Sequence, residues 1–574
     1  MRNPQSIAPL AITLAAAALL AGCAAPGGSG NGSGSPGLGA DPAQACAALA
    51  GPVPASAIGL PSGAANIDSA TFVAASATAV AERGPTPAAR ITPALPAHCR
   101  LLGRIAPVNP QAPPILFQVN LPVRWNGRSV QYGGGGFNGV LISGLGLLPA
   151  GRFDVPAPLA QGFVTVGTDS GHQNVAGQPP QTFALNDEAL VNFAHASYKK
   201  VRDVSVALMQ RAYGRAPAKM YFLGSSEGGR EGLTLAQRYP EAFDGIFSRV
   251  PVINWTGLQH AGTRNGLATM GDGWLRPAQV KLVHDAVLAA CDGQDGLADG
   301  IVSDAVGCKQ RFDVTRLQCA AGGGAAANSD TCLNEAQDKA VQGLHSPYRM
   351  PFALANGVIA YPGYGVSGEG TPAFGPTGGW SAWWLGSAAP ALPPLPANGI
   401  AWFYGSGAIQ YFYAQDPGYD LRRYKPEDFA QRIQTVSALM DATNPDLSAF
   451  NARGGKLLML ENMADYAQSP YAGIRYFESV QARMGAATVG QFARLYTAPG
   501  VDHVGSGAPA NVDMLAALSA WVEQGRAPAG LQLVEQAFVA PFAVTRARPL
   551  CEWPRWPRYQ GGDAHQATSF DCVQ

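Results

Sequence analysis

Lys219-Met-Tyr-Phe-Leu-Gly-Ser-Ser-Glu-Gly-Gly-Arg230 is the stretch that decides the fold, because a short apolar run stops abruptly at Gly-x-Ser-x-Gly. The apolar run predicts a strand, and residues 228–239 predict a helix. A strand, a sharp turn and a helix form a nucleophile elbow, which lets the hydroxyl of Ser226 project from the edge of a sheet. Gly224 and Gly228 have no Cβ to collide where the chain reverses. A Ser/Gly-rich loop is the alternative, since the chain has 70 glycines.

Apolar runs and helix-like segments alternate on both sides of this stretch. Strands that alternate with helices predict an α/β fold with a largely parallel sheet, here an α/β-hydrolase sheet. Between residues 255 and 428 the alternation stops, and Gly, Pro and aromatic residues dominate. We therefore expect a large inserted lid domain at 255–428 and a sheet domain built from 45–254 and 429–574. The predicted strands are 115–121, 129–132, 163–166, 220–223, 245–250, 456–461 and 492–497, and the predicted helices are 189–213, 228–239, 471–484 and 512–524.

The N-terminus carries the features of an export signal. Arg2 precedes an apolar stretch, residues 8–20, that is too short for a membrane span. It leads to Leu20-Ala-Gly-Cys23, which resembles a bacterial lipobox and predicts a signal peptide at 1–22 with lipidation of Cys23. The Gly-Ser-rich residues that follow predict a flexible tether over 23–44. An ordinary signal peptide cut nearby is the alternative. Both versions predict an exported protein, either periplasmic, anchored to the outer membrane or secreted.

Charge and cysteine content limit the classes of function. Lys plus Arg and Asp plus Glu are both 39 and no basic run stands out, so no nucleic-acid partner is expected. Without Cys23, eight of the nine cysteines remain, an even number that predicts disulfides in an exported protein. Sequence alone does not fix the connectivity, and proximity favours four pairs: Cys46 with Cys99, Cys291 with Cys308, Cys319 with Cys332, and Cys551 with Cys572.

A serine hydroxyl needs a base before it can attack, usually a histidine that a carboxylate orients. In hydrolases with this elbow the chain order is Ser, acid, His. His503 fits the role of base, because it lies in the turn after the predicted strand 492–497. Asp465, just beyond the predicted strand 456–461, is the preferred acid. Asp502, the immediate neighbour of the histidine, is the alternative acid, with a role in the turn as its other explanation.

A run of glycines, residues 133–136, directly follows the predicted strand 129–132. Glycines let backbone N–H groups approach a ligand closely, and in this class of hydrolase one donor of the oxyanion hole lies here. The other donor is the N–H of the residue after the nucleophile. The sequence therefore predicts that Gly133 and Glu227 hold the oxyanion, with a flexible surface loop as the alternative explanation of the glycines.

The predicted lid contains Cys291-Asp-Gly-Gln-Asp-Gly-Leu-Ala-Asp-Gly-Ile301, which places three carboxylates within eight residues. Oxygen ligands at this density, with glycines at the bends, suit Ca²⁺. A solvated acidic loop is the alternative, and the flanking Cys291 and Cys308, which would close the loop, favour the ion. The predicted structural calcium site consists of the side chains of Asp292, Asp295 and Asp299 and the carbonyls of Leu297 and Ile301.

Together these pieces resemble the tannase and feruloyl esterase family of α/β hydrolases over about residues 45–572. The resemblance implies a Ser-Asp-His triad, a calcium ion in the lid, and hydrolysis of esters of phenolic or aromatic acids. The family commonly has a disulfide between cysteines just before the nucleophile and just after the histidine, and here these positions are Ser225 and Val504. We therefore expect packing alone to hold the triad. The matching segments are 133–139, 224–230, 291–308, 454–458 with Asp465, and 499–503.

Substrate selection is expected to reside in the predicted lid, where aromatic side chains are dense between residues 380 and 413. Aromatic walls suit stacking on a planar acyl group, and Trp255 and Trp384 are the candidate wall residues. Most of the other aromatic side chains are expected to form a core of the lid itself. No arginine lies between Trp380 and Asp420 to bind an acidic ring, which favours neutral phenolic esters.

The leading hypothesis is a serine-dependent carboxylic ester hydrolase of feruloyl esterase or tannase type. A hydrolase of mono(2-hydroxyethyl) terephthalate type is the alternative within enzymes. Outside enzymes, the alternative is a surface protein that binds a ligand without chemistry, and inactivity towards every small ester would favour it. The expected partner is a small aromatic ester, with membrane contact only through the lipid on Cys23.

Overall fold

The computed structural model describes residues 37–76, 80–81, 91–320, 329–372 and 378–574. These residues belong to one compact unit that extends from Pro36 to Gln574. The predicted signal peptide, the lipidation site Cys23 and most of the predicted tether lie outside the described residues. In the part of the chain that is described, no helix combines the length and the apolar character needed to cross a membrane.

A mixed sheet of eleven strands organises the fold. Six central strands run parallel to one another, and antiparallel strands extend the sheet on both sides. Parallel neighbours need crossover connections, which the helices supply. In spatial order the strands are Gly51–Val53, Ala65–Val73, His98–Ile105, Ile115–Pro122, Val164–Thr168, Arg128–Tyr132, Lys219–Ser225, Gly245–Arg249, Lys456–Asn462, Ala493–Ala498 and Cys551–Glu552.

The predicted α/β fold is confirmed, and every predicted strand and helix of the sheet domain is present with small shifts at its ends. The helix predicted at 189–213 is interrupted by a π-helical turn at Asn192–Ala196. Three antiparallel strands of the large sheet, all before residue 106, were not predicted, because exposed and polar residues interrupt their apolar pattern. The helices outside the predicted lid are Pro42–Ala47, Asp187–Val191, Ser197–Tyr213, Glu227–Arg238, Ala430–Met440, Ser448–Ala452, Pro470–Met484, Ala486–Val489 and Met514–Gln524.

The predicted lid, residues 255–428, is mainly helical where it is described. Its aromatic residues pack inward, and Phe412 reaches Phe137, the residue after the glycine run: the two rings lie 5.9 Å apart. Trp402 is completely buried. The α-helices are Trp255–Ala268, Pro277–Cys291, Ala305–Arg311, Glu335–His345 and Ile400–Gly407, the π-helical turns are Ser381–Leu385 and Ala408–Tyr413, and the short strands Tyr348–Arg349 and Ala360–Tyr361 pair with each other.

Four disulfides connect the eight cysteines that follow Cys23, and the predicted pairing is confirmed. Two of these disulfides tie loops of the predicted lid, and the other two fix the N-terminal helix and the C-terminal strands to the sheet domain. Outside the large sheet, short antiparallel pairs are formed by Val80–Ala81 with Ile91–Thr92, Gln532–Gln536 with Val544–Pro549, and Trp556–Tyr559 with Phe570–Val573. The bonded pairs are Cys46–Cys99, Cys291–Cys308, Cys319–Cys332 and Cys551–Cys572.

Candidate active site

Ser226 lies at the sharp turn between the strand Lys219–Ser225 and the helix Glu227–Arg238. Its backbone has φ 62° and ψ −120°, a conformation that non-glycine residues rarely adopt. Two hydrogen bonds hold it: its N–H donates to the carbonyl of Arg249 over 3.0 Å, and its carbonyl accepts from the N–H of Arg230 over 3.1 Å. The strained turn presents the side chain of Ser226 to a cavity above the sheet edge.

The glycines of the elbow are required by close packing. A Cβ added to Gly224 would lie 2.2 Å from the carbonyl oxygen of Gly228, and a Cβ on Gly228 would lie 2.8 Å from the carbonyl oxygen of Gly134. Both distances are shorter than van der Waals contact with backbone atoms, which cannot move aside easily. The elbow and the glycine run thus touch backbone to backbone.

His503 lines the same cavity as Ser226. Its Nδ1 donates to Oδ2 of Asp465 over 2.7 Å, and both residues are buried. The other carboxylate oxygen of Asp465 accepts from the N–H groups of Ala467 at 2.7 Å and Gln468 at 3.0 Å. Asp465 is therefore held rigidly and fixes the orientation of the imidazole.

Asp502 has a different role from Asp465. Its Oδ1 accepts from the backbone N–H groups of Val504, Gly505 and Ser506 at 2.8–3.1 Å, so its carboxylate closes the turn that carries His503. Burial raises the pKa of this carboxyl. This geometry agrees with a role of Asp502 in the turn, the other explanation that the sequence allows for it.

The glycine run corrects one prediction. The N–H of Gly133, expected to hold the oxyanion, instead donates to the carbonyl of Leu223 over 3.0 Å, because the strand Arg128–Tyr132 continues its pairing with the elbow strand by one residue. The N–H groups of Gly134 and Gly135 are also engaged, by Glu231 at 3.0 Å and by Asn138 at 2.6 Å. Within the described residues, Gly136 is the member of the run whose N–H has no partner.

Glu227 is the first residue of the elbow helix, so its backbone N–H has no acceptor within the helix. Its side chain is buried and accepts from Nε of Arg230 at 2.7 Å. Burial raises the pKa of Glu227 to about 7, against the opposing effect of the Arg230 guanidinium. The Arg230 side chain in turn donates to the carbonyl of Ala194 at 2.8 Å. This buried pair anchors the first turn of the helix, where the N–H of Glu227 lies.

The cavity beside Ser226 has a volume of about 470 Å³. Trp255 forms part of its wall, as predicted. Trp384 does not line it and is buried inside the predicted lid, where its ring lies 4.7 Å from the ring of Tyr364. Its neighbour Trp383 takes the predicted place, with its ring 6.1 Å from the imidazole of His503. Tyr404 completes the aromatic wall. Trp383 faces the cavity and Trp384 does not, because adjacent side chains of a helical turn point in different directions.

Two polar residues of the wall were missed in the sequence. Arg249 ends the strand next to the elbow strand, and its Nη1 donates to the hydroxyl of Ser225 over 2.9 Å. Gln468 lies three residues after Asp465, the predicted acid, and donates to the buried carboxylate of Glu461 at 2.8 Å. A strand that is buried along its whole length, such as Gly245–Arg249, gives no periodic signal for a side chain that faces a cavity.

The acidic loop, residues 292–301, is the predicted calcium site. Its oxygen-rich composition fits Ca²⁺, but each predicted carboxylate accepts from loop N–H groups, and the Asp299 side chain also pairs with the guanidinium of Arg548. Across the described ranges, no group of three or more His, Cys, Asp or Glu side chains is arranged to hold a metal ion. The fit is therefore one of composition and not of arrangement. The loop packs against the turn that carries His503, since a Cβ added to Gly500 in that turn would lie 3.0 Å from Cγ2 of Ile301.

Known proteins resemble this chain over nearly its whole length. The family model described as tannase and feruloyl esterase matches residues 99–573. An uncharacterized esterase of Agrobacterium fabrum is 37% identical over 92% of this chain and 93% of its own length. The mono(2-hydroxyethyl) terephthalate hydrolase of Piscinibacter sakaiensis is 32% identical over 86% and 87%. The crystal structure of feruloyl esterase B from Aspergillus oryzae superposes with a TM-score of 0.70 at 25% identity, covering 92% of this chain and 99% of that one. On these grounds the chain belongs to the tannase and feruloyl esterase family.

Proposed function

We propose that this protein hydrolyses esters of aromatic acids with Ser226 as nucleophile, His503 as general base and Asp465 as the acid that orients the base. Membership of the family makes it a carboxylic ester hydrolase. The observation that carries the assignment of residues is the 2.7 Å hydrogen bond between His503 and Asp465 on the wall of the cavity into which the strained Ser226 projects. Asp502 is not proposed for this role, because Oδ1 of its carboxylate accepts from three N–H groups of its own turn.

In the acylation step, His503 takes the proton of the Ser226 hydroxyl as the oxygen attacks the ester carbonyl. Asp465 stabilises the imidazolium that forms and keeps it in the required tautomer. The imidazolium then donates the proton to the departing alcohol, which leaves an acyl-enzyme. Water then attacks the acyl carbon while His503 removes one of its protons. The bond between that carbon and Oγ of Ser226 breaks, and His503 returns the proton to Oγ as the acid product leaves.

The oxyanion is proposed to bind the N–H of Glu227 together with one N–H of the glycine run. The N–H of Glu227 has no acceptor within its helix, and the helix N-terminus adds positive potential. Gly136 supplies the second donor in this proposal, since Gly133 donates to Leu223. Each donor of this kind contributes about 3–4 kcal/mol to lowering the barrier.

An aromatic acyl group is supported by the composition of the cavity. Trp255, Trp383 and Tyr404 supply flat apolar walls, and a volume of about 470 Å³ suits a substrate with a single aromatic ring. The relatives point the same way, since they include a probable feruloyl esterase of Arthroderma benhamiae at 31% identity over 79% of this chain. Hydrolysis of mono(2-hydroxyethyl) terephthalate, the substrate that names another relative, is the alternative.

The test is hydrolysis of p-nitrophenyl acetate, methyl ferulate, methyl gallate and mono(2-hydroxyethyl) terephthalate by wild type and Ser226→Ala. We expect wild type to cleave at least one of the aromatic esters, and Ser226→Ala to lose that activity by at least about a thousandfold. Wild-type activity that survives in Ser226→Ala would overturn the assignment of the nucleophile. A folded wild type that cleaves none of the four esters would favour a binding protein.

A structural calcium ion in the acidic loop is a second proposal. It rests on the resemblance to the family and on the three carboxylates that one disulfide-closed loop holds, at Asp292, Asp295 and Asp299. The carbonyls of Leu297 and Ile301 would complete the oxygen ligands. The ion would stabilise the loop beneath the histidine turn and takes no part in the chemistry. Calcium titration followed by thermal unfolding tests it.

Export with a lipid on Cys23 is a third proposal. The lipobox-like Leu20-Ala-Gly-Cys23 supports it, and the four disulfides fit an oxidising compartment outside the cytoplasm. Expression with radiolabelled palmitate should label the wild type and leave Cys23→Ala unlabelled. Equal labelling of the two would overturn it.

A further inference from the structure

We propose that Arg249 is a carboxylate-binding residue of the active-site cavity, so that the preferred esters carry a free carboxylate on the aromatic substrate. The inference rests on the proposed function and narrows its substrate class. The absence of arginine between residues 380 and 420 favours neutral phenolic esters. The present inference differs, because Arg249 supplies a cation from the sheet and not from the predicted lid.

The position of Arg249 places its side chain beside the reacting serine. Arg249 ends the strand Gly245–Arg249 and pairs in register with Ser225 on the elbow strand. Its carbonyl accepts the N–H of Ser226, and its side chain lines the cavity with only 5% of the residue exposed. A substrate bound for attack by Ser226 therefore lies against a nearly desolvated guanidinium.

Among the described residues, the Arg249 guanidinium has a single hydrogen-bond partner, the hydroxyl of Ser225. Of its five N–H donors, one is held by the Ser225 hydroxyl at 2.9 Å, and its Nε is buried with no acceptor. In the described part of the chain, no carboxylate oxygen lies within 4 Å of any of its nitrogens. The cation is thus buried without a partner of opposite charge in contact with it.

The nearest carboxylates act on this cation only at longer range, and each of them has a hydrogen-bond partner elsewhere. Asp465 is bound to His503 and to two backbone N–H groups, and Asp502 accepts three N–H groups of its own turn. Glu461 accepts from Gln468. Burial lowers the pKa of Arg249 despite the opposing longer-range effect of these acids, although an arginine stays protonated at any physiological pH.

A carboxylate on the substrate is the ligand that fits this site. Guanidinium and carboxylate groups match in shape and form charge-assisted hydrogen bonds, which are strong where water is excluded. A neutral substrate would displace water from the guanidinium and leave it unpaired, which is unfavourable. The aromatic wall formed by Trp255, Trp383 and Tyr404 selects a ring to carry the carboxylate. The carboxylate belongs either to the acyl part of the ester or to the departing alcohol.

The test compares charged esters with neutral amides of the same shape. For the acyl part, the pair is methyl 4-carboxybenzoate and methyl 4-carbamoylbenzoate, with the 3-substituted isomers alongside. For the alcohol part, the pair is 4-acetoxybenzoate and 4-acetoxybenzamide. The measured quantity is the ratio of kcat/KM for the charged ester to kcat/KM for its neutral partner, which does not depend on the fraction of enzyme that is folded.

In wild type we expect a ratio of at least about 10 in one of the two arms, and the arm that shows it identifies the part of the ester that carries the carboxylate. In Arg249→Met this ratio should fall by roughly 50- to 1,000-fold. Arg249→Lys keeps a cation without the planar fork, so its ratio should lie between those of wild type and Arg249→Met. In Ser225→Ala, which removes the hydroxyl that Arg249 contacts but keeps the cation, the ratio should stay above 1.

Two results would overturn the inference: no preference for the charged ester in either arm of the wild type, or an equal loss on charged and neutral esters in Arg249→Met. The second result would make Arg249 a residue that positions the elbow. Neither result bears on the nucleophile, because the proposed function fails through other outcomes: activity that survives in Ser226→Ala, or a folded wild type that cleaves none of the four esters.

Discussion

Nδ1 of His503 lies 2.7 Å from Oδ2 of Asp465, although the two residues are 38 positions apart in the chain. The contact exists because each residue follows a strand of the parallel sheet, Lys456–Asn462 and Ala493–Ala498, and these strands are neighbours. Parallel neighbours bring the loops after their carboxyl ends to one edge of the sheet. The adjacent residue Asp502 cannot replace this contact, since its carboxylate accepts three N–H groups of its own turn.

Asp465→Asn and Asp502→Asn should therefore have opposite effects. Asp465→Asn removes the charge that stabilises the imidazolium, so we expect kcat for methyl ferulate to fall by about 10³–10⁴-fold with little change in Tm. Asp502→Asn should lower Tm by several degrees and reduce kcat by less than about tenfold, because it weakens a turn. Steady-state kinetics and thermal unfolding of both variants check this. A larger kcat loss in Asp502→Asn would assign the catalytic acid to Asp502.

Trp383 and Trp384 form a second matched pair. Trp383 lines the cavity, so Trp383→Ala should lower kcat/KM for methyl ferulate about tenfold relative to p-nitrophenyl acetate, which has no aromatic acyl group to stack. Trp384 is buried beside Tyr364, so Trp384→Ala should cost about 3–5 kcal/mol of stability and leave that ratio unchanged. Kinetics with both esters and urea unfolding separate the two effects. If only Trp384→Ala changed the ratio of kcat/KM for the two esters, Trp384 would be the wall residue, as the sequence predicts.

Much of the site could be predicted because its residues follow strands. The elbow motif places Ser226 after one strand, and chain order places the candidate acid and base after two later ones. Because these strands are parallel, the three residues meet at the same edge of the sheet. The same reasoning predicted the sheet, since buried parallel strands are continuous apolar runs that alternate with helices. The short antiparallel strands at the start of the chain lack such runs, so their pairing depends on distant partners.

Other features of the site depend on contacts that no local pattern encodes. The N–H of Gly133 is used because the pairing register continues one residue past Tyr132 to Leu223. Trp383 and Trp384 are adjacent residues of the same type, so the sequence does not distinguish them. The π-helical turn Ser381–Leu385 decides which of them faces the cavity. In the sequence, Arg249 is one residue of a predicted buried strand. Its proposed role in binding substrate depends on a tertiary feature: among the described residues, no carboxylate contacts its guanidinium.

Gly224→Ala tests whether the backbone contact of the elbow is required. The added Cβ would lie 2.2 Å from the carbonyl oxygen of Gly228, so the elbow must shift, and we expect a loss of about 3 kcal/mol or more with little remaining activity. Gly343→Ala is the matched control. A Cβ there meets nothing within 4 Å and Gly343 lies in a helix, so this variant should gain about 0.5–1 kcal/mol. Urea unfolding measures both, and equal stabilities would contradict the packing argument.

Asp169 should make the protein less stable as pH rises. Burial raises the pKa of this carboxyl from 3.8 to about 7, so between these values the folded state keeps a proton that the unfolded state has lost. Its contribution is therefore most favourable below pH 4 and is lost as pH rises through 7. In Asp169→Asn, the fall in the free energy of unfolding between pH 5 and pH 8 should be smaller than in wild type by roughly 2–3 kcal/mol. Urea titrations at the two pH values check this, and parallel falls in both proteins would refute it.

Calcium removal should separate the two ways in which the acidic loop can be held. If the proposed ion is bound, EDTA should lower Tm by roughly 2–5 °C, and Ca²⁺ but not Mg²⁺ should restore it, while Asp295→Asn should be insensitive to both treatments. Activity should fall together with Tm, because Ile301 packs against Gly500 in the histidine turn. If instead the pair between Arg548 and Asp299 holds the loop, EDTA will have no effect and Arg548→Met alone will lower Tm. Differential scanning calorimetry of the three proteins distinguishes these results.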